Sequence, residues 1–118
     1  MLKVLVHEAK GLPGGDLPDP PDPYVKLYLL PDRSKKSKRK SDFKKDTVTP
    51  VFEEGFEYES MTGPKMASQQ LEVSIVDRKG IFSKVSTMGR VVLDLSEVLT
   101  KSVNMEWYDL EEVEQDSD

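Results

Sequence analysis

Two kinds of charge stand side by side in this sequence. Residues 16–45, DLPDPPDPYVKLYLLPDRSKKSKRKSDFKK, open with a proline-stiffened loop carrying Asp16, Asp19 and Asp22, pass through the apolar stretch YVKLYLL, and end in a basic run. Carboxylates gathered on a loop can ligate a hard divalent cation, and ammonium groups on one strand face can surround a phosphate. Lys26, Lys38 and Lys40 have the alternation needed to share one face of a sheet. From Arg33 to Lys45 eight basic residues face only Asp42, a net of +7. The rest of a chain whose total is −5 therefore carries −12. A molecule so polarised orients at an anionic surface even though its net charge is repelled by one. These residues point to a surface that meets metal ions, phosphate head groups, or both.

Other chemistries find little support. No glycine-rich phosphate loop, nucleophile elbow or paired acid/base set is present, so a non-catalytic protein is expected. His7 lies alone on a strand and reads as structural rather than catalytic. The absence of cysteine excludes disulfides and thiolate metal sites and fits a reducing compartment. Nucleic acid is a poor partner, because the basic run lacks interleaved aromatics and the remainder repels phosphate. KKSKRK also fits a nuclear localisation pattern, which short basic runs match by chance. Ser34, Ser37 and Ser41 lie inside the run, where phosphorylation would subtract charge. No apolar run approaches the roughly 18 residues of a membrane span, and MLKVLVHEAKGL reads as a strand rather than a signal peptide.

The elements that position these groups are strands. Leu2, Val4 and Val6 alternate with polar or outward positions in a first strand ending near Ala9. KGLPGGDLPDPPDP is a long ordered loop. In the second strand Val25, Leu27 and Leu29 face one way, with Tyr24, Lys26, Tyr28 and Leu30 on the other side. KRKSDF is expected as the third strand, the stretch with Phe52, Phe56 and Tyr58 as the fourth, QQLEVSIVD as the fifth, GRVVLDL as the sixth and MEWYDL as a short last one. SMTGPKMAS reads as a polar connection, and SEVLTKSVN as room for one helical turn capped by Ser96. Ile81 and Phe82 sit near the tip of the loop RKGIFSKVST, placed either to enter a bilayer or to pack on the end of the fold. The expectation is an all-β protein with essentially no helix: an antiparallel β-sandwich over residues 1–110 with an acidic tail at 111–118.

In the order DPYVKLYLLPD, KRK, VTPVFEEGFEYE, LEVSIVD, MGRVVLDL and EWYDL, nearly the whole chain resembles a C2 domain. The finer likeness, in YLLPDRSKKSKRK, GIFSK and EWYDL, is to the C-terminal C2 domains of extended synaptotagmins, of the synaptotagmin-like type I. The resemblance implies a C2-type Greek key of seven to eight strands. One departure is that the strand that type I domains place before Leu2, and type II domains after the last strand, is not seen, which leaves a sheet edge open to pairing.

By the same resemblance, calcium ligands fall at Asp16 and Asp22 in the first acidic loop and at Asp77 in the later one. The next expected acid is Lys79 and the last falls near Ser86, so no cofactor is required and calcium is at most weakly held. The family's concave cationic face, a site for phosphatidylinositol bisphosphate and phosphatidylserine, falls at Tyr24, Lys26, Lys40 and Trp107, with Lys38 added by alternation. Asp42 weakens it by repulsion. The implied role is a membrane-targeting module of a larger multidomain protein, acting on the cytoplasmic side of the plasma membrane or at its contacts with the endoplasmic reticulum. Two alternatives remain: a calcium-dependent phospholipid sensor using the acidic loops, and a protein-interaction domain using the basic strand or the open edge.

Overall fold

The computed structural model describes residues 1–15, 18–59, 61–79, 86–98, 100 and 105–112. Its elements run β1 (Leu2–Glu8), β2 (Pro23–Leu30), β3 (Arg39–Lys40), β4 (Val51–Tyr58), α1 (Gly63–Ala67), β5 (Gln70–Asp77), β6 (Ser86–Asp94) and α2 (Leu95–Val98). The strands form two antiparallel sheets, one pairing β1 with β4 and the other in the order β3-β2-β5-β6. The architecture is the expected antiparallel β-sandwich.

Alternation in β2 sets the layers. Val25, Leu27 and Leu29 are buried against Leu71 and Ile75 of β5, and against Leu2, Phe52, Phe56 and Tyr58 of the smaller sheet. Each such aliphatic side chain contributes about 1.5–3 kcal/mol by leaving water. Tyr24, Lys26, Tyr28 and Leu30 stand on the opposite face, half-buried, as the alternation predicts. Register then sets a row across the second sheet: Lys40 opposite Lys26, Lys26 opposite Ser74, Ser74 opposite Arg90.

Several expected elements take a different form. Regular pairing in KRKSDF stops after Lys40, because the buried Ser41 hydroxyl accepts the Val25 N–H at 2.9 Å in place of a ladder carbonyl and donates to the Asp42 carbonyl. The connection SMTGPKMAS contains α1: the Thr62 hydroxyl accepts from the Lys65 N–H, Pro64 fits the first turn, and Met66 is buried. At α2 the cap is Asp94 rather than Ser96, its Oδ1 accepting from both the N–H and the hydroxyl of Ser96. Among the described residues the stretch 105–112 meets the sheet as a single bridge, with Arg90 and Glu111 exchanging N–H···O bonds of 3.1 and 2.8 Å. Leu110 packs over Gly89 so closely that a Cβ there would stand 2.8 Å from its Cβ. His7 finds its hydrogen-bond partner on the neighbouring strand. A register shift between Val6 and Glu8 accompanies Glu53 at φ 48°, and the His7 Nδ1–H donates to both Glu53 carboxylate oxygens at 3.1 Å. No helix among the described residues is long and apolar enough to cross a membrane.

Candidate functional site

At one end of the sandwich the loops before β2, after β3 and after β5 converge on one ammonium group. Lys79 Nζ donates to Asp19 Oδ1 at 2.6 Å, to the Pro20 carbonyl at 2.7 Å and to the Asp46 carboxylate, and lies 3.2 Å from Asp22 Oδ1. Asp22 is buried, and its Oδ1 also accepts the Asp46 N–H at 2.8 Å; Asp46 adopts φ 51° there, a left-handed geometry that aspartate tolerates. Asp77 Oδ1 accepts the N–H groups of Asp22 and Lys79. Burial by itself would raise the Asp22 pKa. The Asp46 N–H, the Lys79 ammonium and the Arg78 guanidinium outweigh it and hold the carboxyl below its ordinary value. Hydrogen bonds to Asp19 first, then Asp46 and Asp22, hold the Lys79 pKa well above the usual lysine range.

Of the three expected calcium ligands, Asp22 and Asp77 are therefore together, joined by the Asp22 N–H. Asp16 lies outside the described residues, as do Ile81 and Phe82. Asp46 was not foreseen: it arrives from a turn 24 residues beyond Asp22, and only the tertiary fold brings it in. A divalent ion in this place would need to displace a positive group held by several oxygens. The residues present fit an internal ammonium better than a calcium ion, because the later loop offers Lys79 where a carboxylate is needed.

The second cluster lies on the outward face of the four-stranded sheet. Lys26 and Lys40 are opposed across β2 and β3. Lys40 Nζ lies 5.7 Å from the Tyr24 ring centroid, Lys26 Nζ 5.9 Å from that of Tyr28, and the Arg33 guanidinium 5.0 Å from that of Tyr28. Partial burial, then repulsion from Lys38 and Arg33, lowers the Lys26 pKa. Arg90 adds to this, and Glu72 pulls the other way. Lys26 is thus an ammonium crowded by like charges, which a bound anion would relieve. Burial, and then Tyr28, raises the Tyr24 hydroxyl pKa, keeping it a donor at neutral pH. Tyr24, Lys26, Lys38 and Lys40 share this region. Trp107 is exposed and has its ring under the Lys10 ammonium, 4.5 Å from its centroid, rather than against these lysines.

Three further residues belong to the face. Glu72, with 4 % of its side chain exposed, accepts from Arg33 Nη1 at 2.7 Å and lies 3.7 Å from Arg90 Nε. It is a buried counter-ion beneath two guanidinium groups. Glu72 and Ser74 lie two residues apart on β5, and only the strand order brings them beside Lys26 and Arg90. The basic turn is itself anchored. The Tyr58 hydroxyl, its pKa pushed up to about 12 by burial, donates to the Ser37 carbonyl at 2.8 Å, and the Arg39 guanidinium lies 4.4 Å from the Tyr58 ring centroid. Of the three serines in the run, Ser37 and Ser41 are buried and Ser34 is exposed.

The family model described as the C2 domain matches residues 1–110. Extended synaptotagmin-1 of Pongo abelii is 41% identical over 110 residues, covering 92% of this chain and 10% of that protein. Extended synaptotagmin-2 of Mus musculus is 37% identical over 113 residues, covering 94% and 13%. The chain thus spans about a tenth of the length of these curated relatives. Among solved structures, a C2 domain of RIM from Drosophila superposes with a TM-score of 0.83 at 31% identity, covering 92% of this chain and 85% of that one. With the two-sheet sandwich, this match over nearly its whole length means that the chain belongs to the C2 domain family.

Proposed function

We propose that this C2 domain is a non-catalytic membrane-targeting module that binds anionic phospholipids, phosphatidylinositol bisphosphate and phosphatidylserine, through the basic face of its four-stranded sheet, with weak or no need for calcium. The observation that carries the reading is the opposition of Lys26 and Lys40 in register, with Lys38, Arg33 and Arg90 acting on the same ammonium. Each basic residue near an anionic leaflet contributes about 1 kcal/mol. The weak calcium dependence follows from Lys79, whose ammonium already neutralises the acidic loops. The short span of the chain relative to the extended synaptotagmins supports a place within a larger protein. Likeness to them supports action on the cytoplasmic side of the plasma membrane or at its contacts with the endoplasmic reticulum.

Vesicle co-sedimentation tests the reading. Lys26→Ala with Lys40→Ala should weaken binding to bisphosphate-containing vesicles about thirtyfold, the product of two such contributions. Lys65→Ala, on the exposed side of α1, should leave it unchanged. Unaltered binding by the double variant would remove this face from consideration. A calcium sensor is the second reading, favoured by the meeting of Asp19, Asp22 and Asp46 at one point. It requires a rise in thermal stability with calcium that Asp22→Asn removes, and a flat calcium titration ends it. A protein partner on the basic strand or the outer edge of β1 would bind in the absence of any vesicle.

A further inference from the structure

Beneath the cations of the basic face lie buried polar atoms that the lipid-binding reading does not use. Glu72 Oε1, Ser74 Oγ and Arg90 Nε are each buried without a hydrogen-bond partner among the described residues. They are neighbours: Ser74 and Arg90 are opposed in register, and Glu72 is two residues from Ser74 on the same face of β5. Buried polar groups are nearly always paired, and a carboxylate oxygen left alone is among the costlier exceptions. The set is also mixed. Arg90 Nε only donates, Glu72 Oε1 only accepts, and the Ser74 hydroxyl does both. A bare phosphate oxygen satisfies Arg90 and is repelled by Glu72. An alcohol hydroxyl satisfies both at once.

The geometry points to a hydroxyl-reading subsite formed by Glu72, Ser74 and Arg90, which selects phosphorylated polyols, such as an inositol phosphate, over phosphates that carry no neighbouring hydroxyl. The inference rests on the proposed basic-face binding and adds its selectivity. The phosphates are held at the rim by Lys26 and Lys40. Arg33 covers Glu72 from an exposed turn, its side chain half exposed, so it is free to leave Glu72 Oε2 for a ligand phosphate. The ligand hydroxyl then donates to Glu72 Oε1, and Arg90, 3.7 Å from Glu72 Oε2, stays as the counter-charge of the carboxylate.

Calorimetric titration with myo-inositol 1,4,5-trisphosphate and with inorganic tripolyphosphate, an anion of similar charge without hydroxyls, tests the subsite. A parallel pair of vesicles, bisphosphate-containing or with phosphatidic acid at equal surface charge, separates a lipid source from a soluble one. The wild type should prefer the polyol by roughly ten- to a hundredfold, the range for a hydrogen bond to a charged group. Glu72→Gln should bring the ratio towards one while keeping or improving tripolyphosphate binding, and Ser74→Ala should lower it independently should the first variant fold poorly. Equal strengthening of both ligands in Glu72→Gln, or an unchanged ratio in both variants, overturns the subsite and reduces Glu72 to a counter-ion. Selective binding of the soluble polyol without vesicle binding supports the subsite and refutes the membrane reading. Binding of neither anion and neither vesicle overturns both.

Discussion

Asp22 and Lys79 show how single residues change meaning when their surroundings are known. In sequence, Asp22 is a candidate metal ligand and Lys79 a missing one. In the fold they lie 3.2 Å apart, and the lysine supplies the positive charge that the carboxylates need. Because the folded pKa of Asp22 lies below its ordinary value of 3.8, its ionised form stabilises the fold above that pH, and the contribution is lost as pH falls through the folded value. The melting temperature of the wild type should therefore exceed that of Asp22→Asn at pH 7, with the gap closing below about pH 4; a gap independent of pH would contradict the ion pairing. Lys79→Met leaves Asp19, Asp22 and Asp46 without their shared counter-charge and should lower the melting temperature at pH 7. The lysines of the basic face were legible as residues because alternation alone puts Lys26, Lys38 and Lys40 on one side. Arg90, Glu72 and Asp46 were not, since each joins its cluster through strand order or a distant turn that no local pattern encodes.

Strands with two distinct faces were the legible elements. β2 alternates cleanly, and its burial follows the alternation residue by residue, whereas β5 alternates in sequence but is buried on both faces. Short elements set by one hydrogen bond were not. The third strand ends where the Ser41 side chain replaces a backbone partner, and α1 depends on the Thr62 hydroxyl and one buried methionine. Ser41→Ala leaves the Val25 N–H buried without its acceptor and should cost about 1–3 kcal/mol in denaturant unfolding. Because β3 presents Lys40, the same change should also weaken anionic vesicle binding. Gly89→Ala drives a methyl group into the Leu110 side chain where the stretch 105–112 meets β6 and should destabilise by about 1–3 kcal/mol. An unchanged unfolding midpoint would mean that this stretch is not closing the sheet edge.

For the whole molecule, the order of six motifs over nearly the full length made the sandwich and the family readable, while the separation of the basic run from an otherwise acidic chain was readable from the charges alone. The two ends of the charge pattern now have distinct structures. The acidic loops are closed on an internal ammonium, and the basic sheet face remains a row of cations over tyrosine rings. Electrostatic attachment by such a face must weaken as salt shortens the Debye length from about 10 Å at 0.1 M to about 3 Å at 1 M. Lipid binding by the basic face is tested most directly by co-sedimentation of the wild-type domain with phosphatidylinositol bisphosphate vesicles, measured in chelator and in calcium over a salt series. Attachment through the basic face predicts equal binding in chelator and calcium, falling steeply as salt rises. Binding that appears only with calcium and resists salt would contradict it.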